Sequence, residues 1–311
     1  MAEFKKRVYG CAIVKAINSN YNADFSGQPR TLPDGIVYAT DKAFKYSIKK
    51  YLKDAYEKVD VFYMKTLNDN LNPRSLDERY ENLFRAKPKD KTKKDAAKNL
   101  LSCLDVKLFG ATFASGSTSV SVHGPVQINH GVNIWKDNYI YTEQITSPFS
   151  NKASNTDGDP DTEKSMTTIG RQSRLEEGHY LHHFSINPGN LDDISEIVGD
   201  DVMLNDADID KLKVGMRRGV TWYDSASKAG CENEMLVWVE LKEGEKLVLP
   251  SFATLINLEE EKENGKCVYD FEALTNKLEE IKSSVESVEV YYNKQTCILK
   301  NLTEEVKQYD I

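Results

Sequence analysis

The sequence predicts an α+β fold in which one sheet carries helices on one face and large insertions between its strands. Strand-like runs and amphipathic helical runs follow one another in the order β-α-excursion-β-β-excursion-β-α-β. Two polar stretches, 60–100 and 142–175, interrupt this order without a regular period. With 311 residues, of which 40% are apolar, the chain is long enough to bury a full core. We therefore predict a single elaborated domain over 1–311.

The first half of the chain contains three signals of regular structure. RVYGCAIVKAI at 7–17 is rich in β-branched and aromatic residues and predicts a strand. TDKAFKYSIKKYLKDAY at 40–56 predicts a helix whose N-cap is Thr40 or Asp41. Two strand-like runs, CLDVKLFGATFA and SVSVHGPVQI, stand on either side of SGST and predict a hairpin.

The polar stretches are of two kinds, and regular elements follow them. Within 60–100, NDNLNPRSLDERYENLF predicts a turn and a short helix, and the lysine-rich run after it predicts a solvated segment. The stretch 142–175 contains Asp-Gly and Asp-Pro pairs and predicts a long projecting excursion. The remaining runs predict strands at 179–188, 235–241 and 288–292 and helices at 205–217 and 271–284.

Charge is distributed unevenly along the chain. The net charge is −8, but residues 1–110 carry 22 Lys and Arg against 14 Asp and Glu, a balance of +8. Residues 111–311 carry 19 against 35, a balance of −16. This permits contact with a polyanion on one side, although an uneven distribution without a function is an equal alternative. The sequence contains no run of about 18 apolar residues, so it predicts no membrane span. No apolar region of a secretory signal follows the basic residues near the N-terminus.

The sequence gives little support to metal binding or catalysis. Five scattered cysteines without a CxxC pair predict a reducing, cytoplasmic location, with neither a disulfide framework nor a cysteine-based zinc site. In HYLHH, His179 and His183 would share one face of a strand and His182 the other, so this run cannot supply three converging ligands. We interpret them as polar positions of a half-exposed strand and predict no metal and no cofactor. Asp24 and Asp34 stand in loops where Asp is usually a turn former.

The features that favour nucleic-acid binding surround the first predicted helix. Its lysines lie in one stripe beside an apolar face, where they could follow the phosphates of a single strand; a solvated helix face is the alternative. The preceding loop, INSNYNADFSGQPRT at 17–31, is rich in side chains that can donate to phosphate and ribose. Apolar residues on the excursion, Met166 and Ile169, could wedge between bases.

Several short blocks also stand in a fixed order along the chain. They are N-S-N-x-N at 18–22, P-R-T at 29–31, IVYATDKAFKYSIKKYL, DVKLFGATFA at 105–114, G-P-V-Q at 124–127, ITSPF, M-T-T-I-G-R at 166–171, G-x-Y at 178–180 and SKAGCENEMLVWVEL at 227–241. In this order they resemble the CRISPR RNA-binding backbone subunit of Cascade, the type I CRISPR surveillance complex, most closely its subtype I-B form. The blocks span 7–241 and leave 245–311 without an assigned role.

The resemblance implies a modified RRM-like (ferredoxin-like) palm, with 60–100 as a finger-like insertion and 142–175 as a thumb-like insertion. It implies a non-catalytic protein that assembles with copies of itself along the CRISPR RNA and with other Cascade subunits. The RNA would then pair with target DNA in antiviral defence. The residues expected to contact the RNA are Asn18, Ser19, Asn20, Asn22, Arg30, Lys42, Lys45, Lys49, Lys53, Gln127, Met166, Ile169, Arg171 and Arg174.

Two alternatives accompany this interpretation. In the related type III backbone subunits, a loop Asp cleaves target RNA, and Asp24 stands in the comparable loop of this chain. A ribonuclease that uses Asp24 is therefore one alternative. A generic RRM-like RNA-binding protein that stays monomeric is the other.

Overall fold

The computed structural model describes residues 2–116, 118–150 and 166–311, with the side chains of 150 and 166–169 excepted. Its strands are β1 (Val8–Ser19), β2 (Tyr38–Ala39), β3 (Gly110–Ser115), β4 (Thr118–His123), β5 (Val126–Ile128), β6 (Gly131–Asn133), β7 (Ile140–Ser150), β8 (Met166–Ile186), β9 (Cys231–Leu241), β10 (Asn257–Leu258), β11 (Cys267–Asp270), β12 (Val285–Tyr292), β13 (Cys297–Lys300) and β14 (Lys307–Asp310). Its α-helices are α1 (Asp41–Ala55), α2 (Leu76–Phe84), α3 (Lys93–Leu101), α4 (Leu104–Phe109), α5 (Asp192–Val198), α6 (Asp206–Trp222) and α7 (Glu272–Glu280).

A nine-stranded sheet forms the centre of the described structure. Its order is β14-β12-β9-β1-β8-β6-β2, and β5 and β7 also pair with β8. The strand β1 lies between β8 and β9 and is antiparallel to both. It can occupy this position because its sequence is almost entirely apolar, and nearly all of its side chains are buried. The strand predicted at 7–17 is confirmed.

The inner strands and two helices form the palm. The order β9-β1-β8-β6, with α1 following β1 and α6 preceding β9, is the β-α-β-β-α-β arrangement of ferredoxin-like folds. Helices α1 and α6 pack against each other over one face of the sheet. Helix α1 begins as predicted, because the hydroxyl of Thr40 accepts a hydrogen bond from the Ala43 N–H. The predicted α+β class is confirmed.

The C-terminal segment covers the other face of the sheet. The small sheet β10-β11-β13 and helix α7 surround a second core into which β1 directs Tyr9, Cys11 and Ile13. The segment 245–311, which the sequence left without a role, therefore buries the back of the palm, while β12 and β14 extend the central sheet. The sequence predicted helices on one face only and did not foresee this second layer.

One predicted element is partly wrong. The run at 103–114 predicts a continuous strand, but its first half is helix α4 and only Gly110–Ser115 is extended. The buried Asp105 carboxylate in α4 accepts hydrogen bonds from the backbone N–H groups of Phe62 (2.7 Å) and Tyr63 (2.9 Å). These contacts with a distant segment favour a helical turn over the strand that the local sequence prefers.

The predicted excursion is continuous with the palm. Strands β7 and β8 pair from Ile140↔Leu175 outward to Ser150↔Met166. We call this pair, 140–150 with 166–175, the arm; it projects beyond the end of β1, whose Ser19 pairs with Leu175. Residues 151–165 lie outside the described part of the chain. Among the described residues, no helix is long and apolar enough to cross a membrane.

Candidate nucleic-acid interface

The loop after β1, residues 20–30, is held firmly by its own polar side chains, and we call it the anchored loop. Asn20 is buried, and its amide donates to the carbonyls of Gly27 (3.1 Å) and of Ser173 in the arm (3.2 Å). The Asn22 side-chain oxygen accepts from the Thr40 N–H (2.9 Å) and hydroxyl, at the start of α1. The asparagines therefore fix the loop between the arm and the helix.

The ends of this loop are also engaged within the protein. Ser19 is buried with its hydroxyl 3.2 Å from the Cys231 sulfur. Asn18 is exposed, has a positive φ of 46°, and accepts a hydrogen bond from the Tyr141 hydroxyl at 3.1 Å. Arg30, at the other end, is half-buried. Of the predicted loop contacts, Asn18 and Arg30 are thus accessible, whereas Ser19 and Asn20 face the interior.

Asp24 closes a turn inside the anchored loop. Its Oδ1 accepts hydrogen bonds from the Ser26 hydroxyl (2.8 Å), the Ser26 N–H (2.8 Å) and the Gln28 N–H (3.0 Å). These hydrogen bonds lower the pKa of the Asp24 carboxyl, and the hydrogen bond from the Ser26 hydroxyl has the largest effect. The turn-forming interpretation of Asp24 agrees with this geometry.

The lysines of the predicted stripe on α1 divide into two pairs. Lys42 and Lys53 are exposed, and 84% of the Lys42 side chain is accessible. Lys45 is mostly covered: its ammonium lies 3.2 Å from the Asp41 carboxylate and 5.5 Å from the centre of the Phe109 ring. The stripe therefore presents positive charge to solvent mainly at its two ends.

Lys49 belongs to the protein interior more than to the surface. Its ammonium donates to the Tyr63 carbonyl at 2.8 Å, close to the buried Asp105 carboxylate. Burial lowers the pKa of Lys49, and the charge of Asp105 partly offsets that effect. Lys49 thereby ties helix α1 to the segment that follows it.

The base of the arm places arginines beside the anchored loop. Arg171 is exposed, and the Arg174 guanidinium donates to the Asn18 carbonyl at 2.8 Å. Gln28 of the loop donates to Thr142 of the arm at 3.3 Å. The side chains of Met166 and Ile169 lie outside the described residues.

Gln127 lies on a neighbouring groove. The groove has a volume of about 350 Å³ and is lined by Gln127, Phe109 and His123 together with backbone of β3. The Gln127 amide donates to the Gly124 carbonyl at 2.7 Å, and Lys45 lies over the ring of Phe109 at the same groove. A second contact joins α1 to the segment after Gln127, because His130 Nδ1 accepts a hydrogen bond from the Asp41 N–H at 3.3 Å.

Sequence reasoning missed several residues at this surface. Lys228 donates to the Tyr21 carbonyl and lies over the rings of Tyr21 (5.5 Å) and Tyr223 (5.8 Å). Phe25, at the tip of the anchored loop, is fully exposed. The sequence signal for Lys228 is its place in the block SKAG at 227–230, which contributes to the family resemblance. Nothing in the local pattern distinguishes Phe25 from a residue that packs inward.

The histidines of β8 alternate between the two faces as predicted, but the prediction that they are half-exposed is wrong for two of them. His179 and His182 are fully buried. His182 stacks on Phe44 at 4.9 Å, and burial lowers its pKa to about 4. The titratable groups around it are Tyr21, whose hydroxyl lies 3.3 Å from Nε2, and Asp41 and His130 farther away.

Together, the anchored loop, the base of the arm and the N-terminal half of α1 form one continuous surface. The accessible basic side chains on it are Lys42 and Arg171, with Arg30 and Arg174 half-buried. The anchored loop adds the exposed ring of Phe25 and the half-buried amide of Gln28. Such a surface can bind a phosphate backbone and stack on bases, which is what single-stranded nucleic acid requires.

Comparison with known proteins points in the same direction. The sequence model of the family described as CRISPR-associated protein Cas7 matches residues 6–279. No curated protein matches the sequence. A chain from a solved "CRISPR RNA-guided surveillance complex, pre-nicking" has a TM-score of 0.56 and 14% identity over 98% of this chain and 96% of that chain. A chain from a "CRISPR RNA-guided surveillance complex" aligns over 97% and 95% with 13% identity and a TM-score of 0.46. At such identity, the first likeness shows a shared fold.

Proposed function

The chain belongs to the CRISPR-associated protein Cas7 family, and from this premise we propose that it is a CRISPR RNA-binding backbone subunit of a type I Cascade surveillance complex. The observation that carries the proposal is the family match, which covers residues 6–279 of 311. The shared fold with a chain of an RNA-guided surveillance complex supports it. We further propose that the complex is of subtype I-B or similar to it and works in the cytoplasm.

In this function, copies of the chain lie side by side along one RNA. The exposed Lys42 and Lys53 and the arginines at the base of the arm bind phosphates, and Asn18 and Gln127 donate to sugar or base edges. Lys45 and Lys49 position the helix that carries the other two lysines. Ser19, Asn20 and Asn22 act indirectly, by holding the anchored loop in place.

The arm acts as the thumb in this proposal, and 60–100 acts as the finger-like insertion. Ile145 and Phe149 on the arm are 41% and 77% exposed. Apolar side chains on a projecting hairpin can wedge between bases, and Met166 and Ile169 would take part in the same way. The bases between two wedges remain available for pairing with target DNA. Other Cascade subunits would bind at the ends of such a filament.

The main test is to purify the untagged protein from its own cells and sequence the RNA that co-elutes. We expect one class of small RNA that carries CRISPR repeat sequence, and a particle whose mass grows by whole subunits when such RNA is added. Recovery of no discrete RNA would overturn the proposal. RNA binding by a particle that stays the mass of one subunit would instead support a monomeric RRM-like protein.

We also propose that the protein is not an enzyme. One oxygen of the Asp24 carboxylate is occupied by three hydrogen bonds from its own turn, which accounts for Asp24 without a catalytic role. The test is to incubate the RNA-bound complex with Mg²⁺ and complementary RNA, for wild type and for Asp24→Ala. We expect intact RNA in both. Cleavage at regular spacing by the wild type, lost in Asp24→Ala, would establish the ribonuclease.

A further inference from the structure

A cluster of metal-ligating side chains lies at the junction of the palm and the C-terminal layer, and its Glu177 lines one pocket with Asn18 of the candidate nucleic-acid interface. It consists of Glu177 and His179 on β8 and Cys267 on β11. One ligand atom of each residue lies within 4.8 Å of the other two. His179 and Cys267 are buried, and Glu177 is half-buried. From this cluster we infer that the protein binds one zinc ion between Glu177, His179 and Cys267.

The distances suit tetrahedral coordination. His179 Nε2 lies 3.2 Å from Glu177 Oε1 and 3.8 Å from Cys267 Sγ. A tetrahedral ion with metal–nitrogen and metal–oxygen bonds of about 2.0–2.1 Å and a metal–sulfur bond of about 2.3 Å separates such atoms by roughly 3.3–3.6 Å. The two distances from His179 Nε2 therefore differ from the tetrahedral values by only a few tenths of an ångström. The combination of thiolate, imidazole and carboxylate favours zinc over magnesium or calcium.

The surroundings of His179 resemble the outer shell of a zinc site. His179 Nδ1 lies 2.5 Å from the fully buried Glu234 carboxylate, which also accepts from the Tyr269 hydroxyl at 2.7 Å. A carboxylate at one ring nitrogen fixes the tautomer and directs the other nitrogen at the metal, as in carboxylate–histidine–zinc arrangements. Here that other nitrogen, Nε2, faces both Glu177 and Cys267. Glu234 is thus a positioning residue.

The local charges also balance. Lys262 donates to both oxygens of Glu177, at 2.7 and 2.8 Å. With the Cys267 thiolate, neutral His179 and the two carboxylates, three negative charges face one ammonium and a divalent ion. On binding, the proton of the Cys267 thiol and any proton on His179 Nε2 pass to solvent. Three protein ligands leave the fourth position to water or to the second oxygen of Glu177.

Zinc at this point would join two layers of the fold. Glu177, His179 and Glu234 belong to strands of the central sheet, whereas Cys267 belongs to the small sheet on its back. The cysteine spacing predicted no cysteine-based zinc site, and no CxxC pair takes part here. The ligands come from strands far apart in sequence, so only the fold brings them together.

The test uses the full-length, untagged protein. Metal analysis after dialysis against trace zinc should give about one zinc per chain for the wild type. Cys267→Ala should bind at least about tenfold less, and Glu234→Gln should weaken zinc affinity about 10–100-fold. The matched control is Cys103→Ala, which removes another fully buried thiol from the opposite core and should keep its zinc.

Two further measurements keep the inference testable if a variant folds poorly. Cobalt added to the metal-free wild type should give a thiolate-to-cobalt charge-transfer band, and zinc should raise the unfolding temperature in proportion to the logarithm of its concentration. A wild type that binds no zinc or cobalt, and whose unfolding temperature does not change with zinc, overturns the inference. Equal zinc content in wild type and Cys267→Ala overturns the assigned ligands.

Discussion

The division of the α1 lysines predicts opposite effects for two similar substitutions. Lys49→Met removes an ammonium that donates to the Tyr63 carbonyl at 2.8 Å and lies near the buried Asp105. A hydrogen bond from a charged group contributes about 1.5–3 kcal/mol, and Met preserves most of the packing of the lysine stem. We therefore expect the free energy of unfolding to fall by about 2 kcal/mol, which lowers the melting temperature of a chain of 311 residues by about 3 °C.

Lys42→Met is the matched comparison, because 84% of the Lys42 side chain is exposed. Its effect on the free energy of unfolding should lie within about 0.5 kcal/mol. If Lys42 contacts a phosphate, the slope of log binding constant against log salt concentration should become shallower by about 0.7 for single-stranded RNA. The slope of Lys49→Met should equal that of the wild type.

The assays are thermal unfolding and fluorescence anisotropy with a short single-stranded RNA that contains the CRISPR repeat, at several salt concentrations. A Lys49→Met protein as stable as the wild type but with a shallower salt slope would refute the structural role given to Lys49. A Lys42→Met protein with an unchanged slope would remove Lys42 from the interface.

Three other predictions concern the fold. Gly219→Ala would place a Cβ 2.8 Å from the Ser47 carbonyl oxygen across the α1–α6 contact, so we expect the free energy of unfolding in urea to fall by about 1–3 kcal/mol. Gly215→Ala, whose Cβ would meet only side chains of α1, should lower it much less, and equal losses would contradict the close backbone approach at Gly219. The folded pKa of His182, about 4, lies below its unfolded value of about 6.5, so its contribution to stability is complete above pH 6.5 and is lost as pH falls toward 4. Between pH 7 and pH 5, the free energy of unfolding of the wild type should therefore fall by about 2 kcal/mol more than that of His182→Gln, and identical pH profiles would exclude this cause. Asn22→Ala leaves the N–H of Thr40, the N-cap residue of α1, without its partner and should cost about 1–3 kcal/mol by thermal unfolding. An unchanged melting temperature would return Asn22 to the list of direct RNA contacts.

Elements with a clear period were predicted well from the sequence. The apolar run of β1 and the 3.6-residue pattern of α1 both predicted the correct element, because β1 buries both of its faces and α1 buries the one face that its pattern makes apolar. The same holds for α6 and for β9, although both extend beyond the predicted ranges. In these segments, local preference and tertiary packing agree.

The features that failed depend on partners far away in the chain. Helix α4 exists where Asp105 meets the N–H groups of residues 62 and 63, about 40 positions earlier. The period of α1 showed that Lys49 lies in the stripe, but not that the segment at Tyr63 would cover it. Similarly, a row of asparagines predicts hydrogen bonding, but not whether the partner is RNA or, as for Asn20, the neighbouring arm.

The central position of β1 has a consequence for synthesis of the protein. This strand is made first, but both of its neighbours are made late: β8 ends at Ile186 and β9 at Leu241. The interval from Ser19 to Ile186 is 167 residues (186 − 19), which a ribosome translates in roughly 8–33 s at about 5–20 residues per second. Until then, one of the most apolar segments of the chain has no complete neighbouring strand to pair with. The nascent chain therefore passes through a period in which an unpaired strand edge can associate with other chains, and slower translation would lengthen that exposure.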